Sequence, residues 1–109
     1  METIAIVLSV GKDRVEEFER GFREHELAVW NDLSSRDLLV RASLSRLEIT
    51  SQRTPDATEY LVVAVFANGE GHHEHDNHPG FKAWNAIADS YQVADALAFG
   101  GETILHVGD

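Results

Sequence analysis

The sequence contains no cysteine, only two prolines and only nine lysines and arginines among its 109 residues. Without cysteine there is no disulfide framework, no thiolate nucleophile and no cysteine-ligated zinc site. Nineteen acidic residues oppose the nine basic ones, so the formal net charge is −10. That balance argues against binding nucleic acid, whose phosphates are held through lysine and arginine, and against binding an anionic membrane surface.

Long hydrophobic runs are also missing. The apolar run at residues 4–8 is too short to span a bilayer, and it follows Glu2 rather than the basic segment of a signal peptide. We therefore expect a cytoplasmic protein. A content of 43% hydrophobic and 26% charged residues is typical of a globular chain. The length, without any long linker, predicts a single domain over residues 1–109.

Hydrophobic periodicity predicts six elements. Residues 3–10 and 60–67 are apolar at both odd-numbered and even-numbered positions, which is typical of strands buried on both faces. Residues 38–50 alternate between apolar and polar side chains, as in a longer strand with one polar face. Apolar residues at helical spacing predict one helix that begins at Asp13 and ends near residue 34, and a second over 81–91. Residues 93–99 then continue as a last turn, Gly100 and Gly101 stop it, and 103–107 form the final strand.

The order βαββαβ predicts an α+β, ferredoxin-like domain with a four-stranded antiparallel sheet and two helices on one face. Because the first and third strands are apolar at both odd-numbered and even-numbered positions, the sheet face turned away from the helices must also be shielded from solvent. A second copy packed sheet to sheet would supply that cover with two-fold symmetry, so we expect a homodimer. The alternative is a monomer whose own loops cover the face.

The element order and the segment HDNHPGFKAW at residues 75–84 resemble the dimeric α+β barrel superfamily, which includes the antibiotic biosynthesis monooxygenase and stress-responsive A/B barrel families. The resemblance implies a homodimer with a pocket between sheet and helices in each subunit. It also implies oxidation of aromatic substrates without a cofactor, as in some members, or haem binding, as in others. Of the family's site residues only His75 has a matching position. The family's first-strand asparagine and third-strand tryptophan have no counterpart here.

A histidine cluster carries the clearest chemical signal. It comprises His72, His73, His75 and His78, with Glu74, Asp76 and Asn77 between them. Histidine is the usual acid or base near neutral pH and a common metal ligand. Either His75 or His78 is the general base of an organic-ligand pocket, or the cluster is a solvated loop. A third possibility is that His72, His75 and His78, three residues apart, hold a divalent metal or haem. We expect the segment to lie outside the core, so that His75→Ala and His78→Ala leave the fold intact.

Further candidates for ligand binding are one arginine and three aromatic residues. Arg41 shares the polar face of the second strand with Ser43 and Ser45, and there it either steadies an oxyanion or pairs with a nearby glutamate. The aromatic candidates are Trp30, Trp84 and Tyr91. Such side chains line pockets for flat ligands and also fill ordinary helix–sheet cores.

Two functional hypotheses follow. The first is a small monooxygenase-like enzyme that needs no cofactor and acts on an apolar or aromatic small molecule through His75 or His78. The second is a non-catalytic, stress-related dimer of the same fold that binds a ligand, haem or a metal. A histidine nitrogen facing an accessible cavity favours the first hypothesis.

Overall fold

Four strands and four helices make up the computed structural model, which describes residues 1–108. The strands are β1 (Glu2–Gly11), β2 (Leu39–Arg46), β3 (Ala57–Phe66) and β4 (Leu97–Glu102). The helices are α1 (Val15–Gly21), α2 (Leu27–Ser35), α3 (Gly69–Asp76) and α4 (Pro79–Ala88). A π-helical turn, Phe22–Glu26, joins α1 to α2, and 3-10 turns at Lys12–Arg14 and Asp89–Tyr91 precede α1 and follow α4. No helix in residues 1–108 is long and apolar enough to cross a membrane.

The strands form one antiparallel sheet in the order β2-β3-β1-β4. This is the ferredoxin-like arrangement, and it confirms the predicted fold class. Strand positions alternate between the two sheet faces. One face packs under the helices, and its core contains these buried residues: Val10, Phe18, Phe22, Val29, Trp30, Leu33, Leu39, Tyr60, Ala64, Phe66, Trp84 and Ala88.

The opposite sheet face is also apolar. Ala5 of β1 lies between Val63 of β3 and Phe99 of β4, and Val7 lies beside Leu97. Phe99 is 61% exposed and Leu97 is 47% exposed. Within residues 1–108, the chain's own loops therefore leave the β4 side of this face open to solvent.

The predicted position of the last strand is wrong. β4 spans Leu97–Glu102, so it includes the two glycines interpreted as a stop, and residues 93–99 do not continue the helix. Gly100 pairs with Ile4, and a Cβ at Gly100 would lie 2.7 Å from Ile4 Cδ1. The glycine allows a close approach inside a strand rather than a turn. Residues 103–107 lie outside any strand, and Ile104 and Leu105 are exposed.

The second strand is also shorter than predicted. β2 ends at Arg46, and a bulge at Val40 shifts its register against β3 between Leu39 and Arg41. The polar loop then occupies residues 47–56, and β3 begins at Ala57, three residues before the predicted start at Tyr60. The alternating pattern of residues 47–50 therefore lies in a loop, which shows that alternation alone does not fix where a strand ends.

Candidate functional site

A cavity of about 220 Å³ lies between the sheet and the helices. Its apolar lining includes Ile4, Ile6, Leu8, Phe18, Phe22, Trp30, Val62, Ala64, Phe66, Phe81, Trp84 and Ala88. Four titratable side chains lie on one part of the wall: Glu26, His72, His75 and Asp76. The exposed residues Asn85, Asp89 and Ala96 also line the cavity, so it opens to the surface beside them. An apolar pocket with a few convergent polar groups is the usual form of a small-molecule site.

The π-helical turn brings a glutamate into this wall. Phe18, Phe22, Glu26 and Trp30 are four residues apart and are all buried. In a regular α-helix, each step of four residues drifts by about 40° around the axis. The wider π turn reduces that drift, so Glu26 and Trp30 stay on the inward side behind Phe22. Single π turns of this kind are frequent at functional sites.

His75 meets Glu26 from the opposite wall. Asn68 caps α3 by accepting a hydrogen bond from the Gly71 N–H, and the helix then carries His75 toward the core. The Nε2 of His75 lies 2.5 Å from Oε1 of Glu26, and the His75 ring centroid is 4.3 Å from that of Phe81. The His75 side chain is only 13% exposed. The expectation that the whole histidine segment lies outside the core is therefore wrong for His75.

Opposing effects act on the protonation of His75. Burial lowers its pKa, but the hydrogen bond and charge of Glu26, helped by those of Asp76, raise the pKa above its ordinary value. The second carboxylate oxygen of Glu26, Oε2, is buried and has no hydrogen-bond partner within residues 1–108. An unpartnered acceptor in a buried site is costly unless a donor reaches it. The cavity wall thus combines a polarised imidazole with an open hydrogen-bond acceptor.

The other side of the His75 ring faces more exposed groups. Its Nδ1 lies 3.0 Å from Oδ1 of Asp76. The Oδ2 of Asp76 lies 3.2 Å from Nε2 of His72, and Nδ1 of His72 lies 2.8 Å from Oε1 of Glu2. The His72 ring also stacks on Phe66 with an interplanar angle of 9°. His72 and His75 are therefore joined through one shared carboxylate.

The structure gives His78 a different setting. It is the N-cap of α4, where its Nδ1 accepts a hydrogen bond from the Gly80 N–H at 3.0 Å. Its Nε2 lies 3.0 Å from Oδ2 of Asp32, on the outside of the helix layer. His78 does not line the cavity. Its contacts account for a capping role that begins α4 at Pro79.

The three histidines considered as metal ligands do not converge. His72 pairs with Glu2 and Asp76, His75 with Glu26 and Asp76, and His78 with Asp32. Among the described residues 1–108, no group of three or more histidine, aspartate or glutamate side chains is placed to hold a metal ion.

The remaining candidates divide between the two sheet faces. Trp30 and Trp84 line the cavity and are buried. Tyr91 packs edge to face against Phe18, behind the cavity wall. Arg41 is exposed and pairs in register with Val65, so it lies on the sheet face that is turned away from the helices. The structure therefore brings together His75, Trp30 and Trp84, and leaves His78, Tyr91 and Arg41 outside the cavity.

Sequence reasoning missed Glu26, although a signal for it existed. Glu26 stands four residues after Phe22 and three before Val29, so it interrupts the apolar stripe of the first helix. A charged residue at a core position is rare unless it has a partner. Its partner, His75, lies 49 residues away, so the pair becomes visible only in the folded chain.

A second polar group lies in a groove on the far side of Phe22 and Trp30. Tyr60 donates a hydrogen bond to Glu19, which also forms an ion pair with Arg46. Burial and the neighbouring Glu19 carboxylate raise the pKa of Tyr60 to about 12. The phenol therefore stays protonated near neutral pH and ties β3 to α1.

The fold is shared with solved structures along nearly their whole length. A Deinococcus radiodurans protein, provisionally assigned as an antibiotic biosynthesis monooxygenase, matches with a TM-score of 0.75 at 15% identity, covering 100% of this chain and 98% of that one. A variant of SnoaB, a cofactor-independent oxygenase from Streptomyces nogalater, matches with a TM-score of 0.67 at 16% identity, covering 99% and 98%. A dimeric ferredoxin-like protein of unknown function from Thermobifida fusca matches with a TM-score of 0.66 at 18% identity, covering 94% and 92%.

These likenesses confirm at the level of the fold the resemblance expected from the sequence. No family model matches the sequence, and no curated protein matches it. At such low identities the shared fold does not carry an activity with it. The function has to be argued from the cavity and its side chains.

Proposed function

We propose that this protein is a small monooxygenase-like enzyme that acts on an aromatic small molecule in the cavity, with His75 as the general base. The observation that carries the proposal is the His75–Glu26 pair, which is buried in the wall of an otherwise apolar, aromatic pocket. Paired titratable groups in an accessible pocket are candidate acid–base machinery. Because SnoaB, a cofactor-independent oxygenase, has the same fold, oxygenation is the reaction class that we choose to test first.

Glu26 fixes the tautomer that a base requires. An ionised Glu26 accepts a hydrogen bond from Nε2–H of His75, which leaves the lone pair of the neutral ring on Nδ1. In the structure, the Asp76 carboxylate lies beside Nδ1 of His75, and the Asp76 side chain is 52% exposed. A ligand that approaches Nδ1 can therefore displace the Asp76 side chain into solvent. The proton taken from the ligand then resides on Nδ1, and the buried Glu26 carboxylate stabilises the resulting imidazolium. The carboxylate of a serine hydrolase triad acts on its histidine in the same way.

The proposed reaction uses oxygen and needs no cofactor. His75 removes a proton from a methylene carbon made acidic by an adjacent aromatic ring and a carbonyl group, and the resulting carbanion reacts with O₂. The methylene loses two hydrogens and gains one oxygen, and the second oxygen leaves as water: R–CH₂–R′ + O₂ → R–CO–R′ + H₂O. The pocket volume of about 220 Å³ lies below the roughly 300 Å³ at which pockets for drug-sized ligands begin. A ligand of one or two rings fits that volume better than a large polycycle.

We further propose that the chain is a homodimer in which a second copy covers the open sheet face. The support is the continuous apolar surface formed by Ala5, Val7, Val63, Leu97 and Phe99. Large exposed apolar patches mark interaction sites in soluble proteins. The Thermobifida fusca protein of the same fold is described as dimeric.

The enzyme proposal is tested by oxygen consumption with two-ring ketones such as 2-indanone and 2-tetralone, each of which has a methylene group made acidic by an aromatic ring and a carbonyl group. We expect turnover by the wild-type protein and a loss of at least about 100-fold in His75→Leu, the lower limit of a typical general-base contribution. His73→Gln is the matched control, because His73 is exposed on the same helix, lies 3.4 Å from the Asn77 side chain and does not line the cavity.

Two results would contradict the enzyme proposal. One is turnover that His75→Leu leaves unchanged, which would remove His75 from the chemistry. The other is tight binding of one of these ketones in the cavity without any oxygen uptake. That outcome would favour the non-catalytic ligand-binding dimer of the same fold.

A further inference from the structure

We propose that the cavity selects a neutral ligand with a hydrogen-bond donor at its buried end, and that the second carboxylate oxygen of Glu26, Oε2, accepts that hydrogen bond. The inference rests on the proposed function and adds the class of substrate. This class comprises aromatic compounds of one or two rings with an N–H or O–H group close to the acidic methylene. The proposed reaction itself uses only the other oxygen of Glu26, Oε1, which holds His75.

The two oxygens of Glu26 have different surroundings. Oε1 lies 2.5 Å from Nε2 of His75, whereas Oε2 is buried and has no hydrogen-bond partner within residues 1–108. The Nε2–H of His75 donates to Oε1 both from the neutral ring described above and from the imidazolium, so Oε2 is an acceptor in either state. Buried acceptors in folded proteins nearly always have a donor. Because Glu26 lines the cavity, a ligand bound there can supply one.

The charges of the cavity wall favour a neutral ligand. Three carboxylates line the cavity, those of Glu26, Asp76 and Asp89, and no lysine or arginine within residues 1–108 lines it. A ligand with a carboxylate or phosphate group would therefore meet like charges and find no permanent cation to pair with. A cationic amine would lose its hydration to a wall that is mostly apolar. A neutral amide, indole or phenol carries a donor without either cost.

The position of Glu26 also fixes which end of the ligand carries the donor. Glu26 is 5% exposed, whereas Asn85 and Asp89, at the mouth of the cavity, are exposed. The donor therefore belongs to the buried end of the ligand. Since the same carboxylate contacts the ring of the proposed base, His75, the donor also lies close to the reacting methylene. Oxindole meets both requirements, because one carbonyl carbon separates its acidic methylene from its N–H group.

The test compares the binding of oxindole with that of 2-indanone, in which a methylene group replaces the N–H and the ring system is otherwise the same. Isothermal titration calorimetry in the absence of oxygen measures affinity separately from turnover. We expect the wild-type protein to bind oxindole at least about 10-fold more tightly, the effect of one hydrogen bond to a charged acceptor. N-methyloxindole, which keeps the carbonyl group and lacks the donor, should show no such advantage over 2-indanone.

Two variants assign the preference to one carboxylate. Glu26→Met removes both oxygens at a similar side-chain length, so oxindole should lose its advantage over 2-indanone. Asp76→Asn neutralises the other carboxylate that contacts His75, and the ratio of the two affinities should stay at its wild-type value. A ratio that falls in Asp76→Asn and persists in Glu26→Met would overturn the assignment to Glu26. The wild-type comparison of the two ligands needs no variant, so the test does not depend on the stability of Glu26→Met.

The neutral class of the ligand has its own comparison. In the wild-type protein, the cation 2-aminoindane and the anion indane-2-carboxylate should both bind more weakly than oxindole. Tighter binding of either charged compound would overturn this part of the proposal.

The result separates this inference from the proposed function. Equal binding of oxindole and 2-indanone by the wild type would overturn the donor subsite, and oxygen uptake with 2-indanone would then leave the proposed function standing. A preference for oxindole that depends on Glu26, with no oxygen uptake from either compound, would overturn the proposed function and support the donor subsite. A failure of both compounds to bind would overturn the two proposals together.

Discussion

Removing either member of the Glu26–His75 pair should destabilise the protein by unequal amounts. His75→Leu leaves the Glu26 carboxylate buried with neither oxygen hydrogen-bonded to a side chain. Breaking a buried ion pair in this way costs about 3–5 kcal/mol. Glu26→Gln keeps the shape and a neutral hydrogen bond, so the loss is the difference between a charged and a neutral hydrogen bond, about 1 kcal/mol. His75, being partly accessible, can remain neutral in that variant.

Urea unfolding followed by tryptophan fluorescence at neutral pH measures both variants. A small domain has a total stability of about 5–15 kcal/mol, so each variant should stay folded while the denaturation midpoints fall by clearly different amounts. His73→Gln controls for the loss of a histidine from the same helix. Equal and small losses in the two variants would refute the reasoning, because they would mean that Glu26 carries no buried charge.

The same pair should give stability and activity opposite responses to pH. Because Glu26 and Asp76 raise the pKa of His75 above its ordinary value of 6.5, protonated His75 stabilises the folded state. That contribution is complete below the unfolded pKa and is lost as the pH rises through the folded pKa. Activity needs neutral His75, so the rate should rise over the same window. The contrary result is a free energy of unfolding that increases as the pH rises through the folded pKa of His75, by the same amount in the wild type and in Glu26→Gln. It would contradict the conclusion that Glu26 stabilises protonated His75.

Three further predictions test the packing around the site. Gly21→Ala should destabilise the fold by about 1–3 kcal/mol despite the better helix propensity of alanine, because the new Cβ would lie 2.4 Å from Cζ3 of the buried Trp84. Chemical denaturation measures this loss of stability, and a Gly21→Ala variant more stable than the wild type would contradict the prediction. The phenol of Tyr60 should ionise only at about pH 12, and the corresponding step in the ultraviolet absorbance should be missing in Tyr60→Phe. Val63→Asp should dissociate the proposed homodimer, because it traps a charge in the covered sheet face; a sedimentation profile like that of the wild type would reject this interface.

Much of the fold could be predicted from the sequence because its strands and helices have strong, local patterns. The apolar runs at residues 3–10 and 60–67 became the two central strands, and the apolar stripe of the first helix became its buried face. The last strand could not be predicted in this way. Gly100 belongs inside β4 because the side chain of Ile4 lies against it, and that contact spans 96 residues of sequence, 100 − 4.

The site was only partly predictable, for a related reason. The histidine cluster was visible as composition, but its members differ in the partner that each meets after folding. His75 finds Glu26 across the cavity, whereas His78 caps α4 through its own Nδ1. Glu26 stood in the apolar stripe as an anomaly, and the π turn that directs it inward has no simple sequence signature. Long-range pairing, rather than local spacing, decided which histidine reaches the cavity.

Binding of 2-naphthol, followed by nuclear magnetic resonance of the His75 and tryptophan side chains, is the most direct test of the central claim. The account predicts that the ligand shifts the imidazole signals of His75 and the indole signals of Trp30 and Trp84, and that Ala88→Leu abolishes binding by filling the cavity. Shifts confined to the open sheet face, or binding that Ala88→Leu leaves unchanged, would contradict the claim that the cavity beside His75 and Glu26 is the ligand site.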